Sequence, residues 1–385
     1  MQDPNTILNP DLWSLRDAFR AQGFDLRLVG GVVRDLLMGL TPKDVDLHTD
    51  ATPEECVAVY TQAGVRFEET GLQHGTISVI FDHVAYEITS LRTDVETDGR
   101  HATVAYTRDW LVDLERRDFT INSMSMSFEG DILDPFGGQV DLAAGVVTFV
   151  GNAEARIRED YLRILRWFRF RGRFGNQDTQ ADRDAVFKLR RGLGQISRER
   201  VWSEVKQILS KPSGPAQMMD MHQMRVANHM DLPAGLWEFA EATELAAQQA
   251  HVITIMVSLY GYRVGPILLK WKASQEERTL AQFLQQNQTE NPFRCMAVQG
   301  VSRAWARELA LLQGRDTFEL AILDEWQVPV FPVTGYDLIQ LGMKPGPDFG
   351  RIMNHLKDVW AAQDYTMNKA QLLHLVRMDL EAQMQ

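Results

Sequence analysis

Asp44 and Asp46 stand two residues apart in the run Pro42-Lys43-Asp44-Val45-Asp46-Leu47. In an extended chain the side chains alternate, so the two carboxylates share one face. Carboxylates held together repel unless a cation separates them, and hard oxygen ligands of this kind suit Mg²⁺. Just upstream, Leu26 to Val29 alternates as a strand does, and Val32 to Met38 has helical spacing. Gly30-Gly31 between them permits a sharp turn and a close approach to a ligand. The helix start then offers unpaired N–H groups and a positive dipole end to phosphate. Arg34 adds a guanidinium fork shaped for phosphate oxygens. A lone Asp-x-Asp is commonly a turn or a solvated edge. A phosphate-binding turn followed closely by paired carboxylates is a pattern for nucleotide chemistry.

A second cluster is Arg116-Arg117-Asp118-Phe119-Thr120-Ile121-Asn122-Ser123. Guanidinium groups suit a triphosphate, while a carboxylate and an amide suit sugar hydroxyls. The elements that must hold these residues can be read in order. Residues 11–22 form an amphipathic helix with Leu12, Leu15, Ala18 and Phe19 on one side. Thr52-Pro53-Glu54-Glu55 opens the next helix with a capping box. Residues 75–81 and 84–91 read as strands joined by a tight turn at Asp82-His83, with Glu87 on the second. The polar stretch 93–105 has no periodicity and is expected to be a mobile loop over the site; it carries Arg100 and His101. Residues 146–150 are expected to be the last strand, and every later segment reads as helical, beginning with one long helix over 153–174.

With 385 residues, 45 % hydrophobic and 24 % charged, the chain can bury more than one core. No apolar run is expected to span a bilayer, and no signal peptide is read at the N-terminus. Cys56 and Cys295 are the only cysteines, which argues against structural zinc or a disulfide framework and favours the cytoplasm. The net charge of −12 argues against a protein that coats nucleic acid non-specifically. Within residues 156–200, however, thirteen Lys and Arg face six Asp and Glu, a net of +7. A local grip on phosphate is the reading that suits such a belt.

The run GGVVRDLLMG followed by DVDLHT resembles the signature of the tRNA nucleotidyltransferase/poly(A) polymerase family, in its bacterial-type (class II) branch. HGTISV, EITSLR, DGRHATVAYT, RRDFTINS, EDYLRILRWFRF and Ile196-Ser197-Arg198-Glu199-Arg200 resemble further family segments in the same order. Together they cover about residues 28–205. GYDLIQLGMKPGPDF resembles a tail motif of the same family. Ala102, Ser123 and Tyr161 depart from the usual proline, alanine and proline.

The resemblance implies an α+β fold: a small mixed-sheet, polymerase-beta-like head over 1–151, then an all-α neck over 152–206, body over 207–325 and tail over 326–385. It implies template-independent addition of C, C and A to the 3′ end of tRNA from CTP and ATP, with Mg²⁺ as cofactor. Asp44 and Asp46 would be the catalytic metal ligands, with Glu87 a candidate third acid. Gly30, Gly31, Arg34, Arg116, Arg117, Asp118 and Asn122 would bind the nucleotide. Asp160, Arg163, Arg166 and Arg169 would read or support its base. Arg100 and His101 would belong to the loop tied to the change from C to A addition. The partners implied are tRNA, CTP and ATP, with no membrane and no obligate protein partner. His222, His229 and His251 show no His-Asp pairing, so no appended metal-dependent phosphohydrolase is expected. A-only addition, CC-only addition and bacterial poly(A) polymerase are the alternatives. The loop at 93–105 weighs against CC-only, and a tail that is neither long nor basic weighs against poly(A) polymerase.

Chemistry supports the base-reading role. A carboxylate only accepts hydrogen bonds and a guanidinium only donates them. Asp160 could take the amino group of cytosine or adenine while Arg163 serves the neighbouring ring acceptor. Uracil and guanine present the opposite polarity, and each buried mismatch costs ~1–3 kcal/mol. The competing reading is an intrahelical Asp160–Arg163 ion pair worth ~0.2–0.5 kcal/mol.

Overall fold

Leu26, Leu28 and Val29 are fully buried and form β1 (Leu26–Val29), an interior strand of a seven-stranded mixed sheet. The computed structural model describes residues 3–71, 75–97, 102–175, 177–236 and 238–383. They fall into two compact units, Met1–Gly235 and Leu236–Gln385.

In the first unit, α1 (Pro10–Ala21) is capped by Asn9 and buries Leu12, Leu15 and Phe19. β1 leads into α2 (Gly31–Leu37), then β2 (Leu47–Thr49) and α3 (Pro53–Ala63). The reciprocal capping box of Thr52 and Glu55 is present at the start of α3. β3 (Phe67–Gly71), β4 (Thr76–Phe81) and β5 (Val84–Ser90) follow. Asp82 and His83 both have positive φ, 47° and 67°, as a two-residue hairpin turn that matches the strand twist requires. The sheet order is β3-β4-β5-β2-β1-β8-β9, where β8 is Ser125–Met126 and β9 is Ile132–Leu133. β2 and β5 are parallel, and the other pairs are antiparallel. Its apolar face packs Leu28, Ile77, Val79, Ile88 and Met126 on α1 and α3.

Three expectations need correction, and a fourth observation needs comment. The stretch 93–105 belongs largely to a two-stranded ribbon, β6 (Arg92–Thr97) with β7 (Ala102–Tyr106). Arg100 and His101 lie outside the described residues. Residues 146–150 form no strand: Val146 and Phe149 make isolated bridges to Gln177 and Phe119, and α5 (Gly138–Ala144) precedes them. Their apolar run serves core packing, with the Phe149 ring 4.9 Å from that of Phe119.

The long helix over 153–174 is two helices, α6 (Ala153–Glu159) and α7 (Arg163–Phe174). Asp160 breaks it. Its backbone is extended, and its carboxylate accepts the Leu162 N–H at 3.0 Å, which competes with helix continuation. Lastly, Val252–Lys270 is long and apolar enough to cross a membrane by composition. It is mostly buried, and it is interrupted at Gly261 between helices Val252–Tyr260 and Val264–Lys270. A buried core segment accounts for it.

α7 buries Ile164, Leu165, Trp167 and Phe168. It is tied to α8 (Gln180–Leu189) and α10 (Gly214–Gln223) by a ring of ion pairs. In that ring Arg171 and Arg183 each hold both Asp178 and Asp220 at 2.7–3.0 Å. α9 (Arg198–Leu209) lies between α8 and α10 in sequence and packs on α7. Every secondary-structure element among the described residues of the second unit is helical. Within it, the Gly-Pro motif turns the chain between helices Gly335–Gln340 and Pro347–Ala362, over a core that includes Leu338, Leu356 and Trp360.

Candidate active site

A cleft of about 780 Å³ opens in the first unit, lined from α2, β2, β5, β6, α7 and α9 and from the segment that follows α4 (Trp110–Glu115). Eight arginines line it (34, 92, 116, 117, 163, 166, 169 and 200) together with Asp44, Asp46, Asp118 and Asp160. Gly31, His48, Asn122 and Phe170 also contribute. Such a surface favours a polyanion at one end and a cation at the other.

The turn after β1 depends on Gly30. Its φ is +76°, and a Cβ there would lie 2.6 Å from Arg117 Nη1. Asp44 and Asp46 precede β2 and are not part of it, although the Asp46 carbonyl already accepts the Val29 N–H at 3.2 Å. Both side chains still face the cleft. The Asp46 carboxyl is raised above its ordinary pKa, first by burial in the cleft and further by the charges of Asp44 and Glu87, against Arg117. Glu87 stands one register step behind the Leu47–Ile88 pair on parallel strands β2 and β5. Three mutually unfavourable acids are what a bound cation relieves. Among the described residues no group of three His, Cys, Asp or Glu forms a complete protein cage. Mg²⁺ does not require one, since it keeps waters and takes phosphate oxygens beside one or two carboxylates. The residues fit the ion.

One wall rests on Asp113, which is fully buried. It holds Arg116 at 2.6 Å, Arg117 at 3.3 Å and His48 Nδ1 at 3.2 Å. Burial lowers the His48 pKa to about 4; Asp113 opposes the shift, and Arg117 and Arg116 add to it. His48 is therefore neutral in the fold, while an unfolded chain binds its proton below about pH 6.5. Its contribution is complete above pH 6.5 and is lost as pH falls toward 4. Denaturant titration is expected to show about 2 kcal/mol less stability at pH 5 than at pH 7.5 from this group. The loss should shrink in His48→Gln; an equal loss in the variant would reject the assignment.

A chain of hydrogen bonds adjoins this wall, with Arg117 Nη1 donating to the Asn122 carbonyl at 3.4 Å. Asn122 donates to Asp118 at 3.0 Å and accepts from Arg34, while Arg166 donates to Asp118 at 2.7 Å. Burial would raise the Asp118 pKa, but Arg166 and Asn122 outweigh it and hold the carboxyl low. Arg34 is buried, engages Asp35 at 2.8–2.9 Å and lies over the Phe174 ring at 4.2 Å. Arg34, the expected phosphate fork, lines the cleft and also donates to Asn122.

Asp160 and Arg163 both line the cleft but are not paired with each other. Asp160 meets Arg200 at 2.6 Å. Arg163 meets Glu159 at 2.7 Å and the carbonyls of Arg156 and Arg116 at 3.1 and 3.0 Å. Arg169 is held by Glu204 at 2.8 Å. The sequence reading missed His48, Arg92, Asp113, Phe170 and Arg200. His48 was legible, since the alternation that joins Asp44 to Asp46 continues to it. Arg92 lies at the root of the ribbon, where its carbonyl accepts from Arg116 at 3.0 Å.

Residues 26–148 match the sequence model of the Poly A polymerase head domain. A mouse (Mus musculus) protein named CCA tRNA nucleotidyltransferase 1, mitochondrial, is 36 % identical over 98 % of this chain and 92 % of its own length. The chain belongs to the tRNA nucleotidyltransferase/poly(A) polymerase family. Within the family, a CCA-adding enzyme of Lactobacillus delbrueckii subsp. bulgaricus is 31 % identical over 86 % of this chain and 88 % of its own length. The fold is that of the Bacillus stearothermophilus CCA-adding enzyme, solved in complex with CTP. That match has a TM-score of 0.80 at 24 % identity and covers 97 % of this chain and all of the other. The α+β head with a helical remainder is thus the family's polymerase-beta-like architecture.

Proposed function

We propose that this nucleotidyltransferase adds C, C and A to the 3′ end of tRNA from CTP and ATP without a nucleic-acid template. The carrying observation is one cleft that joins an acidic pair, an arginine-rich wall and the Asp160–Arg163 face. The primer 3′-oxygen would form a bond to the α-phosphorus as the bond to the β-phosphate breaks, and pyrophosphate leaves. Asp44 and Asp46, with Glu87 behind them, would hold Mg²⁺, which when bound lowers the pKa of the 3′-hydroxyl and offsets triphosphate charge. Arg116 and Arg117, fixed by Asp113, would receive the triphosphate beside the N–H groups that follow Gly30 and Gly31. Asn122, oriented by Arg34 and Asp118, would meet the ribose. Asp160 and Arg163 would read the base, with Arg166 and Arg169 supporting that wall. The described part of the helical body and tail would hold the rest of the tRNA, following the division 1–151, 152–206, 207–325 and 326–385.

Cys56 and Cys295 are both buried free thiols, which suits the reducing cytoplasm proposed here. Each nucleotide alone, offered to tRNAs ending before CCA, before CA or before A, tests the reading. C is expected on the first two substrates and A on the third. C on none would leave A-only addition, A on none would leave CC-only addition, and long A runs on all would mean poly(A) synthesis.

A further inference from the structure

The basic belt of residues 156–200 is largely neutralised. Arg156, Arg158, Arg163, Arg166, Arg169, Arg171, Arg173, Arg183, Lys188, Arg198 and Arg200 each lie against a carboxylate. Arg190 and Arg191 depart from this: among the described residues neither has a carboxylate within ion-pair distance. They open the 3-10 turn Arg190–Gln195 after α8. That turn packs on a second one, Ala227–His229, which brings Arg225 and His229 alongside. Arg190 and His229 are each shifted down, first by burial and then by the surrounding arginines. Arg191 and Arg225 are exposed. The Arg190 guanidinium lies 3.7 Å over the ring of Phe187, which is 45 % exposed.

Clustered like charges weaken a fold, and in a chain of net charge −12 counter-charges are plentiful. Arg225 adds a second cost. It occupies the left-handed position after α10, with φ +57°, where glycine is the unstrained residue. The patch also adjoins the cleft. Gly192, next to Arg191, has no room for a Cβ because the Tyr161 ring lies there, and Tyr161 separates the cleft residues Asp160 and Leu162.

We infer that Arg190, Arg191 and Arg225 form a phosphate-contact surface for the backbone of the RNA substrate, outside the catalytic cleft and continuous with its base-reading end. The ligand chemistry is a run of phosphodiesters, which offers spaced monoanions to spaced guanidinium groups and needs no particular base. This inference rests on the tRNA reading above. Phe187 with its stacked arginine supplies an apolar platform at the rim, of the kind that bases and riboses stack on.

The test uses the full chain with arginines 190, 191 and 225 all changed to glutamine. Binding of tRNA that lacks CCA is measured from 50 to 200 mM salt, together with kcat and KM for tRNA and for CTP. KM for tRNA is expected to rise about tenfold, and the salt slope of binding to flatten by about two to three, since each lost phosphate contact removes ~0.9. KM for CTP should stay unchanged. The triple lysine variant should keep the wild-type slope. Arg225→Gly should melt no lower than wild type yet bind tRNA more weakly, which separates charge from folding. An unchanged tRNA KM and slope in the glutamine variant would overturn the surface, as would a lysine variant that behaves like the glutamine one. If wild type adds no nucleotide, the functional reading fails, and the binding slopes still judge the surface.

Discussion

Changing Asp46 to asparagine is expected to lower CMP incorporation into tRNA by about 10³-fold, because several kcal/mol of transition-state charge stabilisation go with the ion it would hold. The substitution keeps the shape of the side chain and removes one charge. Asp46 is raised by burial and by its neighbours Asp44 and Glu87, so its ionised form is disfavoured without a cation. Loss of that charge should relieve repulsion, and the variant should melt no lower than wild type. Asp44→Ala should behave likewise in turnover. Binding of tRNA should survive in both, since it draws on other surfaces. Primer extension on tRNA lacking CCA, beside a gel-shift titration, reads both quantities. Incorporation within tenfold of wild type would remove Asp46 from the reacting centre.

Much of this site was legible because local signals agreed with one another. Glycine at position 30 tolerates the positive φ of the turn, Thr52 and Glu55 supply a capping box to α3, and a short polar pair, Asp82-His83, joins two alternating runs. The faults arose where a local preference competed with a tertiary one. Helical periodicity ran unbroken across Asp160, yet an aspartate can satisfy a nearby N–H and stop a helix, and Tyr161 finds its place against Gly192. Residues 146–150 have strand composition, but their backbone bonds go to Asp118, Thr120 and Gln177 and Phe149 packs on Phe119. The ribbon of β6 and β7 was hidden because two-residue alternation is faint in a stretch rich in charge. Asp113 could not have been singled out, since its role depends on His48 from β2 as well as on Arg116 and Arg117, which follow α4. Arg34 was legible by type, but its contacts with Asp35 and the Phe174 ring come from distant parts of the fold and from a neighbour whose role the sequence did not mark.

Removing Asp160 should collapse base selectivity far more than it slows correct addition. In the fold Asp160 holds Arg200, and Arg163 holds Glu159, so reading a base requires each to exchange a charged partner for a ring edge. Those partners hold both side chains in the cleft before the nucleotide arrives, which limits the ordering cost of binding. With Asp160→Ala the cytosine amino group loses its acceptor while uracil loses a clash. The ratio of kcat/KM for CTP over UTP should therefore fall about 10²-fold, from one lost pairing and one relieved mismatch of ~1–3 kcal/mol each. Arg163→Ala should act in the same direction through the ring acceptor. Arg200→Gln is the discriminating control, because it frees Asp160 without changing its polarity. It should alter the rates with CTP and UTP together and leave their ratio near wild type. A ratio that falls equally in Arg200→Gln and Asp160→Ala would mean that the ion pair shapes the pocket and the base is read by another group.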